Sequence, residues 1–446
     1  MNDFKDQQAV SYRNKKVLIF GLGLNQGGVG SAKFFAQEKA VVKVTDLKDV
    51  KTLKSSIDQL KRYKNIKFIL GKHDKKDFSW ADLIIKNPAI KPDNTFLKYT
   101  NKIGKQVEMD MGIFLQFVKP SQIIGITGTK GKSTTASLIY EVLKTKFHNL
   151  IFAGNIGTSV LDKVRQIKEN SLVVLELSSF QLESFDKKKV SPKWAIITNI
   201  FPDHLNYYPS MKSYVEAKRA IIKYQQPGDT LFLNREDKIS TSSEFLKNLY
   251  SKIIFTSKDD LPKSFKPSLK GEHNLANIAS ALLVAKNFEV EESVALSRLE
   301  KFKGVEFRMQ LVNDYKGVKI YNDTAATNPD AAIAALETFP HSLLIAGGMN
   351  KNLRLNDFAK AIDKYSKQVF FLEGDATNQL KKLMKRKNKI AGVYKNLSDV
   401  VQFVKQVAKR GDVILFSPGA TSFNLFQNEF DRGRKFNEAV KKVFQN

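Results

Sequence analysis

The residues with the clearest chemical potential form one short loop, Gly128-Thr129-Lys130-Gly131-Lys132-Ser133-Thr134. The loop follows an apolar run at 123–126 and precedes a helix-period stretch at 136–144. In such a strand–loop–helix, backbone N–H groups surround phosphates, the lysine neutralises β- and γ-phosphate charge, and the serine offers its hydroxyl to Mg²⁺. Gly125 lies one residue too far upstream for the commonest form of the pattern. The loop predicts ATP binding, but it does not say whether water or a carboxylate receives the phosphoryl group.

A second glycine-rich loop lies near the start of the chain. Gly21-Leu22-Gly23-Leu24-Asn25-Gln26-Gly27-Gly28 follows an apolar run at 17–20, and we expect a helix from Gly30. Asp46 closes the next apolar run, where dinucleotide-binding folds place a ribose-binding acid. Gln26 occupies the position of the usual third glycine. This loop alone leaves three interpretations open: NAD binding, binding of another nucleotide diphosphate, or a structural turn.

The elements that must position these loops alternate regularly. Short apolar runs alternate with helix-period segments, which predicts parallel sheets with crossover helices. The predicted strands lie at 17–20, 41–45, 68–70 and 82–85, then at 123–126, 172–177, 195–199, 230–233 and 253–255, then at 318–321, 343–346, 369–372 and 413–416. Helices are predicted at 273–288 and 292–302. Because 446 residues exceed what one core usually serves, we predict an α/β protein of three domains, at 1–107, 108–303 and 304–446.

The composition is that of a globular protein, with 42% hydrophobic and 26% charged residues. No apolar run approaches the roughly 18 residues of a membrane helix, and the first residues contain no signal core. We therefore expect a cytoplasmic protein without membrane insertion. The absence of cysteine excludes disulfides, thiolate metal sites and cysteine nucleophiles.

The formal net charge of +28 could attract nucleic acid, an anionic membrane surface or a polyanionic substrate. Lysines are spread along the whole chain, however, and no arginine-rich stripe is interleaved with aromatic residues. We therefore expect no nucleic-acid partner. A phosphate-bearing substrate would still be attracted by the positive field.

A series of motifs resembles the Mur ligases of peptidoglycan synthesis. The motifs follow the family's order across all three predicted domains. They are the phosphate loop, Asn155-Ile156-Gly157, Leu175-Glu176-Leu177-Ser178-Ser179-Phe180-Gln181-Leu182-Glu183, Asn199-Ile200-Phe201-Pro202-Asp203-His204, Tyr208-Pro209 with Ala217-Lys218, Gly271-Glu272-His273-Asn274-Leu275-Ala276-Asn277, Arg308, Asn322-Asp323 with Ala326-Thr327-Asn328, Gly347-Gly348, and Ser417-Pro418-Gly419-Ala420-Thr421-Ser422-Phe423. The motif around Glu176 has the form typical of the members that add D-glutamate.

The resemblance implies a Rossmann-like N-terminal domain for a UDP-linked substrate, a central P-loop ATPase-like domain with a mostly parallel sheet, and a Rossmann-like C-terminal domain for an amino acid. It implies ATP-dependent ligation of D-glutamate to UDP-N-acetylmuramoyl-L-alanine through an acyl phosphate. The partners would be these two substrates and ATP, with Mg²⁺ at two sites, and the protein would be a monomer. Closure on binding would exclude water from the acyl phosphate.

The resemblance also assigns catalytic and metal-binding roles. Lys132 and Ser133 would act from the phosphate loop. Glu176 would be a carboxylate ligand of Mg²⁺, which prefers oxygen. His204 would lie beside the second metal. Without the resemblance, Lys218 would be expected on an exposed helix surface. With it, Lys218 would carry a carbamate and act as a carboxylate-like ligand.

For ATP, Asn274 and Asn277 lie three apart on one helix face, where two amides could hold the adenine edge. Arg308 and Asp323 match family residues that contact the phosphates and the ribose. The matches thus extend the predicted ATP site from the central domain to the C-terminal domain.

The first glycine loop gains a different meaning from the resemblance. Leu24, Asn25 and Asp46 would bind the UDP group rather than NAD. Asn87-Pro88-Ala89-Ile90 resembles the family's second uridine-side loop, with Ala89 where glycine is usual. Asn155 would contact the precursor. The amino-acid site would include Thr327, Lys351, Ser422 and Phe423.

Three departures from the family pattern lie in the third domain. Ala325 replaces a lysine, Glu306-Phe307-Arg308 stands where His-Arg is customary, and Phe423 replaces a leucine. The loss of one cationic partner matters because a charged hydrogen bond contributes roughly 1.5–3 kcal/mol. D-glutamate remains the expected amine, and the alternative is another amino acid such as L-glutamate.

Other classes explain less of the chain. A folylpolyglutamate synthase-like enzyme would share the phosphate loop but not the N-terminal glycine unit. A nicotinamide dehydrogenase would leave Lys132, Glu176 and Lys218 without a role. A nucleic-acid-dependent ATPase would require a binding surface that the sequence does not reveal.

Overall fold

The computed structural model describes residues 11–23, 26–155, 158–205, 207–269, 271–350, 354–421, 426 and 428–445. The chain divides into two compact units, one comprising Met1–Lys266 with Glu272–Glu300 and the other Pro267–Gly271 with Lys301–Asn446. Within the described residues the strands form three sheets, two in the first unit and one in the second. The α/β fold of three sheets in series confirms the predicted fold class.

The first sheet is parallel, with the strand order β3-β2-β1-β4-β5. Its strands are β1 (Lys16–Phe20), β2 (Val41–Asp46), β3 (Ile66–Leu70), β4 (Leu83–Lys86) and β5 (Gln106–Glu108). Its helices are α1 (Gln26–Gln37), α2 (Lys54–Asp58), α3 (Lys75–Trp80), α4 (Thr95–Lys102) and α5 (Asp110–Phe114). Helix α1 begins at Gln26 rather than at Gly30, so the predicted start is wrong. The glycines within its first turns, which disfavour helix, had concealed this start.

The second sheet is also parallel, with the order β11-β10-β9-β6-β8-β7. Its strands are β6 (Ile123–Thr127), β7 (Leu150–Gly154), β8 (Leu172–Glu176), β9 (Trp194–Ile197), β10 (Thr230–Asn234) and β11 (Lys252–Thr256). Its helices are α6 (Lys132–Leu143), α7 (Ser179–Lys188), α8 (Met211–Arg219), α9 (Glu272–Asn287) and α10 (Glu292–Glu300), with 3₁₀ turns at Pro120–Gln122, Val160–Gln166 and Lys258–Asp260.

The third sheet, in the second unit, has the order β12-β13-β17-β14-β15-β16. Its strands are β12 (Gln310–Tyr315), β13 (Val318–Asn322), β14 (Leu343–Gly347), β15 (Gln368–Leu372), β16 (Ile390–Tyr394) and β17 (Val413–Phe416). Its helices are α11 (Pro329–Thr338), α12 (Asn356–Tyr365), α13 (Asp375–Leu383), α14 (Leu397–Val407) and α15 (Glu429–Val443), with a 3₁₀ turn at Lys387–Lys389. Strand β12 runs antiparallel to β13, an exception to the predicted parallel arrangement.

The hydrophobic cores follow this division. The two sheets of the first unit share one core, which includes Val17 and Phe35 from the N-terminal part and Val173 and Phe185 from the central part. The third sheet has a separate cluster on each face, because alternate residues of a strand point to opposite sides. In the described part of the chain, no helix combines the length and apolar character needed to cross a membrane.

Candidate active site

The candidate site lies at one edge of the central sheet. Strands β9, β6 and β8 are adjacent and parallel, so their carboxyl ends meet at the same edge. The phosphate loop follows β6, Glu176 ends β8, and residues 198–210 follow β9. The fold therefore brings together three motifs that are far apart in the sequence.

Glycine is required at two positions of the phosphate loop. Gly128 has φ +151° and Gly131 has φ +86°, a region that other residues rarely adopt. A Cβ on Gly128 would lie 1.9 Å from Thr198 Oγ1, and a Cβ on Gly131 would lie 2.6 Å from Asn277 Oδ1. Helix α6 begins directly after Gly131 with Lys132. The loop is thus closely enclosed before it meets a ligand.

Two residues after β9 hold the outer part of this loop. Thr129 N donates to Asn199 O at 2.8 Å, and Lys130 N donates to Asn199 Oδ1 at 2.9 Å. Thr198 Oγ1 donates to Lys130 O at 2.6 Å. The sequence placed Asn199 at the head of a family motif but gave it no role, and Thr198 was missed entirely. Together they fix the conformation of the loop.

Two lysines converge on a single backbone carbonyl of the loop. Lys132 Nζ donates to Gly128 O at 3.0 Å, and Lys218 Nζ donates to the same oxygen at 2.7 Å. Lys218 is 1% exposed, so the predicted site residue is not on a surface helix face. Burial holds the pKa of the Lys218 amine well below its ordinary value, and the charge of Lys132 lowers it further. The Lys218 amine therefore loses its proton more readily than that of an exposed lysine.

Glu176 provides a buried carboxylate beside the loop. It is 1% exposed at the end of β8, and its Oε1 accepts from Asn155 Nδ2 at 3.5 Å. Its Oε2 is buried and has no hydrogen-bond partner among the described residues. A buried carboxylate oxygen without a donor is costly unless it meets a cation. Glu176 thus fits the role of a metal ligand, and Asn155, which was predicted to contact the precursor, lies next to it.

His204 and Tyr214 lie at the same edge of the central sheet. The His204 ring, whose side chain is 43% exposed, packs against Phe180 with ring centroids 5.0 Å apart. Burial lowers the pKa of His204, Asp203 opposes this, and Lys132 and Lys218 lower it further. A neutral imidazole of this kind can bind a metal. The Tyr214 hydroxyl lies 3.0 Å from Thr129 Oγ1, a contact that the sequence did not reveal.

Of the two asparagines of α9, Asn277 lies against the phosphate loop. Asn274 and Asn277 are buried, and Asn277 Nδ2 donates to Asn274 Oδ1 at 3.2 Å. Thr135 Oγ1 donates to Asn277 Oδ1 at 3.1 Å, which ties α9 to α6. The structure thus brings Asn277 to the loop and to α6, with Asn274 beside it.

The described residues that were predicted to bind the uridine end lie at the carboxyl edge of the first sheet. Asp46 accepts from Gly23 N and from Lys48 N, each at 2.9 Å. Ala89 N donates to Asn87 Oδ1 at 3.0 Å, and Asn87 Nδ2 donates to Gly21 O at 3.4 Å. The two predicted substrate loops are therefore adjacent. Leu24 and Asn25 lie outside the described residues.

In the second unit, Asp323 is a buried acid at the end of β13. Its Oδ2 accepts from Ser417 Oγ at 2.7 Å, and its Oδ1 accepts from Met309 N at 3.1 Å. Burial raises the pKa of Asp323 to about 7, although these hydrogen bonds and the charges of Arg308 and Arg432 oppose the rise. Arg308 itself is exposed. The fold thus brings these two predicted ATP residues together.

Arg432 organises the loop in which Ala325 replaces the family lysine. It is fully buried, and it donates to Thr324 Oγ1 at 2.8 Å, to Thr324 O at 2.9 Å and to Ala420 O at 3.0 Å. Thr327 lies half-buried at the end of this loop. No motif pointed to Arg432. The remaining predicted residues of the amino-acid site, Lys351, Ser422 and Phe423, lie outside the described residues.

Comparison with known proteins gives family matches along most of the chain. The model of the Mur ligase MurD-like N-terminal domain matches residues 15–108, that of the Mur ligase middle domain residues 126–266, and that of the Mur ligase glutamate ligase domain residues 307–419. A UDP-N-acetylmuramoylalanine--D-glutamate ligase from Roseiflexus sp. (strain RS-1) is 36% identical, over 96% of this chain and 98% of the relative. The enzyme of the same name from Borreliella afzelii (strain PKo) is also 36% identical, over 96% and 98%.

Solved structures resemble the fold at lower identity. The UDP-N-acetylmuramate-alanine ligase MurC from Thermotoga maritima matches with a TM-score of 0.60 and 20% identity, over 96% of this chain and 99% of that one. The MurF ligase of the same organism, in complex with ADP, matches with a TM-score of 0.55 and 17% identity, over 97% and 98%. These likenesses show a shared three-domain architecture.

Proposed function

This chain belongs to the Mur ligase family, and we propose that it joins D-glutamate to UDP-N-acetylmuramoyl-L-alanine at the expense of ATP. The chain is an ATP-dependent ligase that forms amide bonds in peptidoglycan synthesis. The choice of D-glutamate is supported by relatives of that name that are 36% identical over nearly the whole chain. The same names argue against the alternative of another amino acid, despite Ala325.

The proposed reaction has two steps. The alanyl carboxylate attacks the γ-phosphorus of ATP, which forms an acyl phosphate and releases ADP. The amine of D-glutamate then attacks the acyl carbon, phosphate leaves, and the amine loses a proton. Lys132, next to the closely held loop at Gly128 and Gly131, would neutralise the charge that develops on the transferred phosphoryl group.

The observation that carries the proposal is the unpaired Glu176 Oε2, buried at the edge from which the phosphate loop rises. We propose that Glu176 and the Ser133 hydroxyl hold one Mg²⁺, and that His204 and a carbamate on Lys218 hold a second. Bound Mg²⁺ would polarise the phosphate oxygens and offset their charge. No group of three His, Cys, Asp or Glu side chains suited to a metal occurs in the described ranges, so the modified lysine would supply a missing oxygen ligand.

The lowered pKa of Lys218 supports this modification, because it favours the neutral amine. A neutral amine attacks carbon dioxide to form an N–C bond, and one proton is released as the carbamate appears. The position next to Lys132 favours the resulting anion, because opposite charges attract. An ammonium at the same place would repel Lys132.

An amino-acid panel tests the proposed reaction. The protein is supplied with UDP-N-acetylmuramoyl-L-alanine and Mg-ATP, and phosphate release and product mass are measured for D-glutamate, L-glutamate and other amino acids. We expect release with D-glutamate and a product heavier by one glutamyl residue. Ligation of a different amino acid with D-glutamate inert would refute the named reaction, and release stimulated by DNA or RNA instead would refute the ligase assignment.

Lys218→Ala should abolish acyl-phosphate formation, because the second metal would lose a ligand. Lys212→Ala is the matched control, since Lys212 is exposed on the same helix, α8. Phosphate release is measured for both variants alongside their thermal unfolding. Full turnover by Lys218→Ala would remove this lysine from the site.

A further inference from the structure

A lysine at the end of β4 has no role in the reaction described so far. Lys86 directly precedes the Asn87–Ala89 turn, and its side chain is only 11% exposed. Its Nζ donates to Ile90 O at 3.3 Å, so the ammonium links the two ends of the uridine-side loop. Burial lowers the pKa of Lys86, which means that its charge requires compensation from nearby groups.

Two acids from different elements face Lys86. Glu183 Oε2, on α7, lies 3.9 Å from Lys86 Nζ. Asp110 begins α5 and is buried; its pKa is raised to about 6 by burial, which the charge of Lys86 opposes. A Cβ on Gly27, in α1, would lie 3.7 Å from Asp110 Oδ2. Lys86 therefore lies where the first glycine loop, the uridine-side loop and the central domain meet within one compact unit.

Glu183 also contacts residues near the carboxyl edge of the central sheet, where the candidate active site lies. Its carboxylate accepts from the Tyr207 hydroxyl at 3.4 Å and from the Tyr208 hydroxyl at 3.3 Å. Both tyrosine rings pack on Phe180, with ring centroids 4.6 Å and 5.8 Å apart, and Phe180 packs on His204. A continuous series of contacts thus joins the uridine-side loop, which contains Ala89, to His204.

We infer that Lys86 is a positioning residue for the nucleotide-linked substrate and acts through Glu183. The inference rests on the proposed function, in which the Ala89 loop binds the uridine end and His204 lies at the reacting end. One molecule that spans both ends is productive only when the two ends keep their spacing, because a small misplacement of reacting groups slows a reaction greatly. The Lys86–Glu183 contact sets that spacing across the junction of the two sheets.

Steady-state kinetics of Lys86→Met, Glu183→Gln and the double variant test this inference. Each single variant should lower kcat and raise KM for UDP-N-acetylmuramoyl-L-alanine, so that kcat/KM falls about tenfold, and should leave KM for ATP unchanged. The double variant should be no worse than either single one, because both remove the same contact. Lys86→Arg, which keeps the charge, should recover most of the loss. Lys91→Met is the matched control, since Lys91 is exposed just after the same loop.

The outcomes separate the inference from the function on which it rests. Additive effects in the double variant, tighter substrate binding by Glu183→Gln, or an equal rise in KM for ATP would each overturn the positioning role. Wild-type turnover tests the function independently. If no amino acid is ligated, calorimetric binding of UDP-N-acetylmuramoyl-L-alanine to the same variants still decides the role of Lys86. If Lys86→Met does not fold, Lys86→Arg and Glu183→Gln carry the comparison.

Discussion

At the scale of single residues, Glu176 is the side chain whose cost to the folded protein is easiest to measure. Glu176→Met removes a buried carboxylate whose Oε2 has no donor among the described residues. We expect the variant to lose ligase activity and to gain about 1 kcal/mol in the free energy of unfolding without ligand, since burying an unsatisfied polar group is unfavourable. Denaturant unfolding and phosphate release check the two effects on the same sample.

The control for this experiment is Glu216→Met, because Glu216 is exposed on α8. That substitution should change neither quantity appreciably. A Glu176→Met variant that unfolds more easily than the wild type would show that the carboxylate is satisfied in the folded protein. The proposal of a metal ligand would then lose its physical basis.

Asp323 gives a prediction about pH. Its pKa is about 7 in the folded protein against an ordinary value of 3.8, so the folded chain holds a proton that the unfolded chain has released between these values. Stability conferred by this group is therefore complete below the lower value and is lost as the pH rises through the upper one. The free energy of unfolding of Asp323→Asn, relative to the wild type, should increase from pH 4 to pH 7 and level off above about 7.

Urea unfolding of both proteins across this range measures the difference, in which other titrating groups cancel. A difference that is flat, or that falls as the pH rises, would contradict the raised pKa. The test is independent of activity, so it holds even though Asp323→Asn would also lose its proposed ribose contact.

The sequence revealed the site residues that belong to recognisable motifs. It missed the residues whose roles depend on contacts with partners far away in the sequence. Glu176 and Lys218 were found because their neighbours form recognisable motifs, and both proved to be buried. Arg432 was missed because its partner Thr324 lies far away in the sequence and on another element. Lys86 was missed for the same reason, since no residue near it in the sequence indicates its contact with Glu183. Burial and long-range pairing are properties of the fold rather than of the motif.

At the scale of elements, the phosphate loop is the most constrained segment. Gly131→Ala places a methyl group 2.6 Å from Asn277 Oδ1 at a φ of +86°. We expect a loss of about 1–2 kcal/mol from the backbone conformation, with a further loss from the displaced Asn277, and weaker ATP binding. Thermal unfolding and titration with an ATP analogue measure these effects.

Gly71→Ala is the matched control. Gly71 has φ +80°, but a Cβ there would meet no atom within 4 Å. It should therefore show the backbone cost alone and leave ATP binding intact. Equal losses in the two variants would mean that the contact with Asn277 contributes nothing.

The predicted strands are all present, whereas β5, β7, β12 and β16 were not predicted. Three of them have a physical reason to escape notice. Strand β5 has only three residues, and β16 contains a glycine and is only partly buried. Strand β12 is an antiparallel edge strand with polar residues, so it lacks the apolar run of a buried parallel strand. Hydrophobic runs thus predicted every interior strand of the three described sheets, but only β3 and β11 among the edge strands.

At the scale of the whole molecule, the net charge of +28 should act on substrate capture. Both nucleotide substrates are polyanions, and the Debye length shrinks from about 10 Å at 0.1 M salt to about 3 Å at 1 M. We expect KM for ATP and for the UDP-linked substrate to rise severalfold with KCl while kcat changes little. A neutral osmolyte at equal osmolality serves as the control, and insensitivity to KCl would leave the charge as a feature of composition alone.

The carbonyl of Gly128, shared by two lysines, has a consequence for how this protein is handled. On the proposed chemistry, the amine of Lys218 binds that carbonyl only until it is modified, and the reagent that completes the site is dissolved gas rather than anything encoded in the gene. Two batches with the same sequence can then differ in active fraction according to the buffers and degassing they have met. The specific activity of a sample then depends on its earlier exposure to carbon dioxide. Incubation with bicarbonate should restore the activity of a degassed sample.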